Sequence, residues 1–220
     1  MNKVKIDLGF CEVYYDKGDK SLNESIKFIK KAFNYNKEFF GLSNIPKFKI
    51  ILLYSRKEFD KLWGKKTPQW VSAFAKKIRI VIFSLSVFEK ETSWKKKDFY
   101  STLVHEINHI FFTSLTKKLY QPIWLCEGLA TYIQRNKKKP KKKPKIFYKI
   151  LNESFNYKNP KYDMYHLFIY YLIRKYGKEK FIKLLRDYRK GGRIDKCSQA
   201  VYNKSLRELI KDANKFYFTP

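Results

Sequence analysis

The sequence predicts an α+β fold, with a small mixed sheet in the N-terminal half and helices through the C-terminal half. Three observations carry this. Short apolar runs rich in β-formers, "FKIILLYS" (48–55) and "IRIVIF" (78–83), lie early in the chain. From about residue 92 onward, apolar residues recur at helical spacing. Three Ser-x-x-Glu signatures, Ser21/Glu24, Ser55/Glu58 and Ser205/Glu208, mark helix starts. Strands mixed with helices first, and helices alone later, read as α+β. At 220 residues one domain is expected, 1–220, with an α/β part over about 1–120 and a helical part over about 121–220.

Residues 4–15 read as one strand. A helix follows from Ser21 to Gly41, its apolar positions Ile26, Ile29, Phe33 and Phe40 at helical spacing. The run 48–55 is a second strand, and Ser55 opens a short helix through Trp63. "TPQW" (67–70) is turn-like, and 78–83 is a further strand. A long helix is expected from Thr92 or Ser93 to about Lys118, and another from Pro122 to Arg135, with proline suited to a first turn. "NKKKPKKKPK" (136–145) is a basic loop broken by proline. Helices are then expected over 146–154, 162–176, 178–189 and 205–217.

The composition excludes disorder, with 44% hydrophobic and 18% aromatic residues. The net charge of +29 invites nucleic acid as a partner. Lysine is spread along nearly every segment, however, which reads as a composition bias rather than a local binding patch. Three distant cysteines, Cys11, Cys126 and Cys197, without a CxxC pair, predict free thiols in a reducing compartment. The first twenty residues hold no apolar core of a signal peptide, and no run suits a transmembrane helix. The expectation is a cytoplasmic chain; the sequence gives no basis for an oligomeric state.

"LVHEINHIF" (103–111) holds two of the three histidines, four residues apart, with Glu106 after the first. Positions i and i+4 share one helix face, so His105 and His109 can reach a single Zn²⁺. Glu106 is rotated by about 100° and cannot join the same sphere with both. It can reach a water on that metal, which makes it a general base. A catalytic zinc needs a third protein ligand. Glu127, in "IWLCEGLATY" (123–132), lies on the next expected helix, joined through a short link near Tyr120 to Pro122. An antiparallel helix pair would bring it over the histidines, with Gly128 allowing the close approach. One Zn²⁺ per chain is expected.

"HEINH" followed by "PIWLCEGLATY" resembles the gluzincin metallopeptidases, most closely the small peptidase MA-like domains. "TPQWVSAFAKKIRIVIF", "YDMYHLFIYYLIRKYGKEKFIKLL" and "SQAVYNKSLRELIKDANKF" resemble the family's outer segments, so the likeness runs from about residue 10 onward. It implies a zincin-like fold and a peptide or protein substrate. It assigns His105, His109 and Glu127 as zinc ligands and Glu106 as the base. Ile78, Arg79, Ile80, Val81 and Ile82 match the edge strand along which a substrate pairs. Tyr162, with Tyr165 as alternative, matches the tyrosine that helps polarise the scissile carbonyl. Ala73 departs from the family's usual glycine. Thr131 stands near a position where relatives carry an acidic residue holding a histidine N–H, and is a weaker acceptor. Asn108, inside the motif, is expected to face solvent, with support of a ligand as the alternative. Cys126 is expected to be a buried structural thiol, and His166 an ordinary histidine. The 136–145 tract is a candidate rim of the cleft. The rival functional reading is an inactive zincin-like domain that binds nucleic acid or a protein partner.

Overall fold

The computed structural model describes residues 3–119, 121–138, 146, 151 and 161–218. The helix expected over 146–154 lies outside them apart from Ile146 and Leu151, as do Tyr120 and residues 139–145 of the basic loop. The chain is α+β and divides into two compact units, Met1–Phe111 and Phe112–Pro220.

The first unit is built on a mixed five-stranded sheet. In chain order it runs β1 (Lys3–Asp7), β2 (Cys11–Asp16), α1 (Leu22–Phe40), β3 (Phe48–Leu53), α2 (Arg56–Trp63), β4 (Ala73–Lys76), β5 (Arg79–Phe83), α3 (Phe88–Glu91), a 3₁₀ turn (Lys96–Asp98) and α4 (Phe99–Thr116). The strands lie side by side as β1-β2-β3-β5-β4. β2, β3 and β5 are mutually parallel, and the outer strands β1 and β4 run antiparallel to their neighbours. β5 is buried on both faces at Ile80, Val81, Ile82 and Phe83, as expected of a central strand covered from both sides. On one face Phe33 of α1 meets Phe48 and also Phe111 of α4, with ring centroids 6.4 and 5.5 Å apart. On the other, Phe59 of α2 stacks on Phe83 at 4.9 Å and meets Phe74 edge-on at 5.3 Å.

Several expectations are corrected here. The strand expected over 4–15 is a hairpin, because Gly9 takes φ +83° and its N–H donates to the Asp7 carboxylate at 2.8 Å. The strand over 78–83 is not an edge. It pairs with β3 on one side and with β4 on the other. β4 was hidden because its turn carries no glycine, proline or asparagine; Lys77 itself takes the left-handed conformation, φ 55°. The long helix begins at Phe99, not Thr92. Thr92 is extended, its hydroxyl donates to the Phe88 carbonyl at 2.7 Å, and Asp98 accepts from the Lys95 N–H at 3.0 Å. Those bonds spend the residues 92–98 on turns. Ser21 does not cap α1, because its hydroxyl donates to Asp19 at 2.7 Å. Ser55 and Ser205 do accept from the N–H three residues on, at 3.4 and 3.3 Å.

The second unit is helical: α5 (Ile123–Gln134), α6 (Tyr162–Tyr176), α7 (Lys178–Arg189), α8 (Ile194–Tyr202) and α9 (Leu206–Phe218). α8 falls in a stretch not assigned from sequence. Every residue of α5 from Ile123 to Ile133 is buried, the mark of a core helix. Trp124 packs on Phe168 of α6 at 5.1 Å, and the Tyr217 hydroxyl of α9 donates to the Leu167 carbonyl at 3.2 Å. Among the described residues no helix is long and apolar enough to cross a membrane.

Candidate metal centre

α4 is apolar on most sides, with Leu103, Val104, Ile107, Ile110 and Phe111 buried. His105 and His109 sit on its remaining face with ring planes crossed at 83° and centroids 4.9 Å apart. His109 is 4% exposed and Glu106 7%. Glu127, on α5, is 8% exposed. One donor atom each from His105, His109 and Glu127 lies within 4.8 Å of the other two. Among the described residues this is the one such cluster of three His, Cys, Asp or Glu side chains.

The donor set suits zinc. Two imidazoles and a carboxylate are the ligands of one type of catalytic zinc site, with bonds of about 2.0–2.1 Å that place donors roughly 3.3–3.4 Å apart.

The supporting residues differ from expectation. Asn108 does not face solvent. It is fully buried, and its amide donates to Asn36 Oδ1 of α1 at 3.1 Å. Asn36 in turn donates to the Val104 carbonyl of α4 at 3.1 Å and to the Ala32 carbonyl of its own helix at 3.0 Å. Thr131 is 2% exposed, and its hydroxyl has no hydrogen-bond partner, so it does not hold a histidine N–H. Gly128 serves a different contact from the one expected. A Cβ there would meet the Tyr165 carbonyl oxygen and Ile169 Cγ1 of α6, each at 2.8 Å; the glycine lets α5 and α6 touch. Tyr165 is buried and Tyr162 half-buried at the start of α6. Cys126 is fully buried and takes part in no disulfide.

Ile80, Val81 and Ile82 are fully buried in β5, Arg79 begins that strand, and Ile78 is 47% exposed in the turn before it. The outer strand on that side of the sheet is β4. The segment leading into β4 is held firmly. Arg56 donates to the Thr67 hydroxyl at 3.1 Å and the Val71 carbonyl at 2.8 Å, and Trp94 Nε1 donates to the Trp70 carbonyl at 2.6 Å.

His166 is fully buried. Arg135 Nη1 donates to its Nδ1 at 3.2 Å and to Asp163 at 2.6 Å. A guanidinium only donates, so Nδ1 accepts and Nε2 carries the proton. Burial, and then the Arg135 charge, push its pKa down from 6.5 to about 4, against the Lys138 backbone and Asp163. The imidazole is neutral at physiological pH.

Asn36 and Arg56 were not singled out from sequence. Asn36 left a signal: it fills the gap at 36 in the apolar series Ile29, Phe33, Phe40. Arg56 left none.

No protein-family model and no curated protein matches the chain.

Proposed function

We propose that the chain is a zinc-dependent metallopeptidase of gluzincin type with a zincin-like fold. The observation that carries this reading is the group His105, His109 and Glu127, with donor atoms within 4.8 Å of one another, on helices whose sequences already suggested it. These three residues would hold the metal. Bound zinc supplies a Lewis acid that polarises a carbonyl and lowers the pKa of water.

The remaining chemistry belongs to the chain. Glu106, rotated about 100° from His105 on the same rigid helix, accepts the proton of the attacking water. It then delivers that proton to the departing amine. An extended peptide pairs by backbone hydrogen bonds with β4, Ala73–Lys76, the outer strand next to β5. This replaces the 78–82 assignment, since β5 uses both of its sides. Tyr162 or Tyr165 donates to the developing oxyanion.

Metal content by elemental mass spectrometry tests the reading. Wild type is expected to hold about one zinc per chain, and Glu127→Ala to lose most of it. A zinc-free wild type after reconstitution at neutral pH overturns the proposal, and salt-dependent nucleic-acid binding then becomes the question. Zinc retained by a wild type that cleaves no peptide library would point to the inactive, partner-binding alternative.

A further inference from the structure

Two fully buried asparagines sit where aliphatic side chains would pack. Asn36 belongs to the α1 stripe of Ile29, Phe33 and Phe40, and Asn108 lies on α4 beside Ile107 and Phe111, all of these buried. Burying amides there is costly unless they are bonded. Their bonding is directional and has one solution. The Ala32 and Val104 carbonyls flank one end of the Asn36 amide, at 3.0 and 3.1 Å. Carbonyls only accept, so the Asn36 nitrogen is at that end and its oxygen receives the Asn108 amide at 3.1 Å. Asn108 Oδ1 is left without a partner. A pair of leucines would avoid that cost, so stability alone does not explain the pair.

The bonded groups explain it better. Val104 directly precedes His105, and Asn108 directly precedes His109. One α1 side chain therefore grips α4 at both turns that carry a histidine of the cluster. Apolar packing is tolerant of small helix rotations; two hydrogen bonds a turn apart are not. Turning α4 by about 20° would carry a side-chain tip, roughly 5–6 Å from the axis, through about 2 Å. Metal–ligand distances tolerate only about 0.2 Å.

We infer that Asn36, acting through the Val104 carbonyl and Asn108, is a positioning residue that sets the rotation of α4 and so the aim of His105 and His109. The inference rests on the metal-site reading above. It touches neither metal nor substrate, so its effect is on metal affinity and coordination rather than on the chemical step.

The test uses the full chain, with zinc and cobalt(II) as probes. Three proteins are compared: wild type, the double variant Asn36→Leu/Asn108→Leu, and Asn36→Gln. The double variant removes both partners together, so the metal-free Tm is expected to hold or rise. Its zinc Kd, by chelator competition, is expected to weaken about 10–100-fold, and the cobalt d–d spectrum to change shape. Asn36→Gln keeps the amide but lengthens it by one methylene, and is expected to weaken zinc in the same direction. It carries the test alone if the double variant does not fold. Wild-type zinc affinity and an unchanged cobalt spectrum in these variants would make the pair merely structural and overturn the inference. Absence of zinc binding by wild type overturns the metal-site reading and this inference together, whereas tight binding by every protein overturns only the inference.

Discussion

α4 and α5 each contribute buried donors to the same cluster, yet the two helices are anchored by opposite means. α4 is gripped by hydrogen bonds: Asn36 reaches its Val104 carbonyl and Asn108 amide inside an otherwise apolar core. α5 is gripped by shape: Gly128 lies against the Tyr165 carbonyl and Ile169 so closely that a methyl group would meet both at 2.8 Å. A polar anchor fixes rotation and tolerates a change of volume if both partners change together. A steric anchor fixes distance and tolerates no added atom. The same chain thus uses directional bonding around the turns of His105 and His109, and contact distance beside Glu127.

The largest effect should come from a change that leaves both anchors intact. Glu106→Gln keeps the shape and burial of the side chain but cannot accept a proton. Peptide-cleaving turnover should fall by about 10²–10⁴-fold, with zinc content at the wild-type level. Turnover unchanged by Glu106→Gln would remove Glu106 from the chemistry. Breaking the steric anchor comes next. Gly128→Ala should cost about 2–3 kcal/mol, since one of the two clashing atoms is a backbone oxygen that cannot step aside. Urea denaturation of the metal-free protein measures it. A cost near zero would show that α5 and α6 move apart freely.

A third test reads the second unit by pH. The folded-state pKa of His166, about 4, lies below the ordinary 6.5. Between those values the unfolded chain binds more protons, so stability falls as pH falls. From pH 7 to pH 5 this group should remove about 1–2 kcal/mol. His166→Leu should flatten the urea-midpoint profile over that window relative to wild type. Parallel profiles would mean that His166 titrates alike in the folded and unfolded states, so that burial does not lower its pKa.

The parts of the molecule that sequence reveals share a physical basis. β3 and β5 are written as short apolar runs of β-formers, α1 and the helices α6, α7 and α9 in helical periodicity, and His105, His109 and Glu127 in spacing along helices. β4 escaped because a two-residue turn of Lys77 and Ile78 carries none of the residues that usually permit φ > 0. The start of α4 escaped because Thr92 and Asp98 spend their side chains on turns that a helical pattern does not reveal. Asn36 and Asn108 were legible only as polar interruptions of an apolar stripe; that they meet is a property of the fold. Gly128 was visible as a close-approach residue, but which helix approaches it depends on tertiary packing.

The smallest effect bears most directly on the comparison. If the Thr131 hydroxyl takes no part in holding α5, removing it should cost nothing. Thr131, one turn beyond Glu127, is 2% exposed with an unpartnered hydroxyl. Such a group costs free energy by losing its water without gaining a bond. Thr131→Val exchanges that hydroxyl for a methyl of similar size, so the urea midpoint should rise, by up to about 1 kcal/mol. Zinc affinity should stay unchanged. A supporting role for Thr131 beside a ligand predicts the reverse, with zinc binding weakened about 10–100-fold. Measuring both quantities on one variant therefore decides whether the Thr131 hydroxyl helps to hold α5 beside Glu127, or is a buried group the helix carries at a cost.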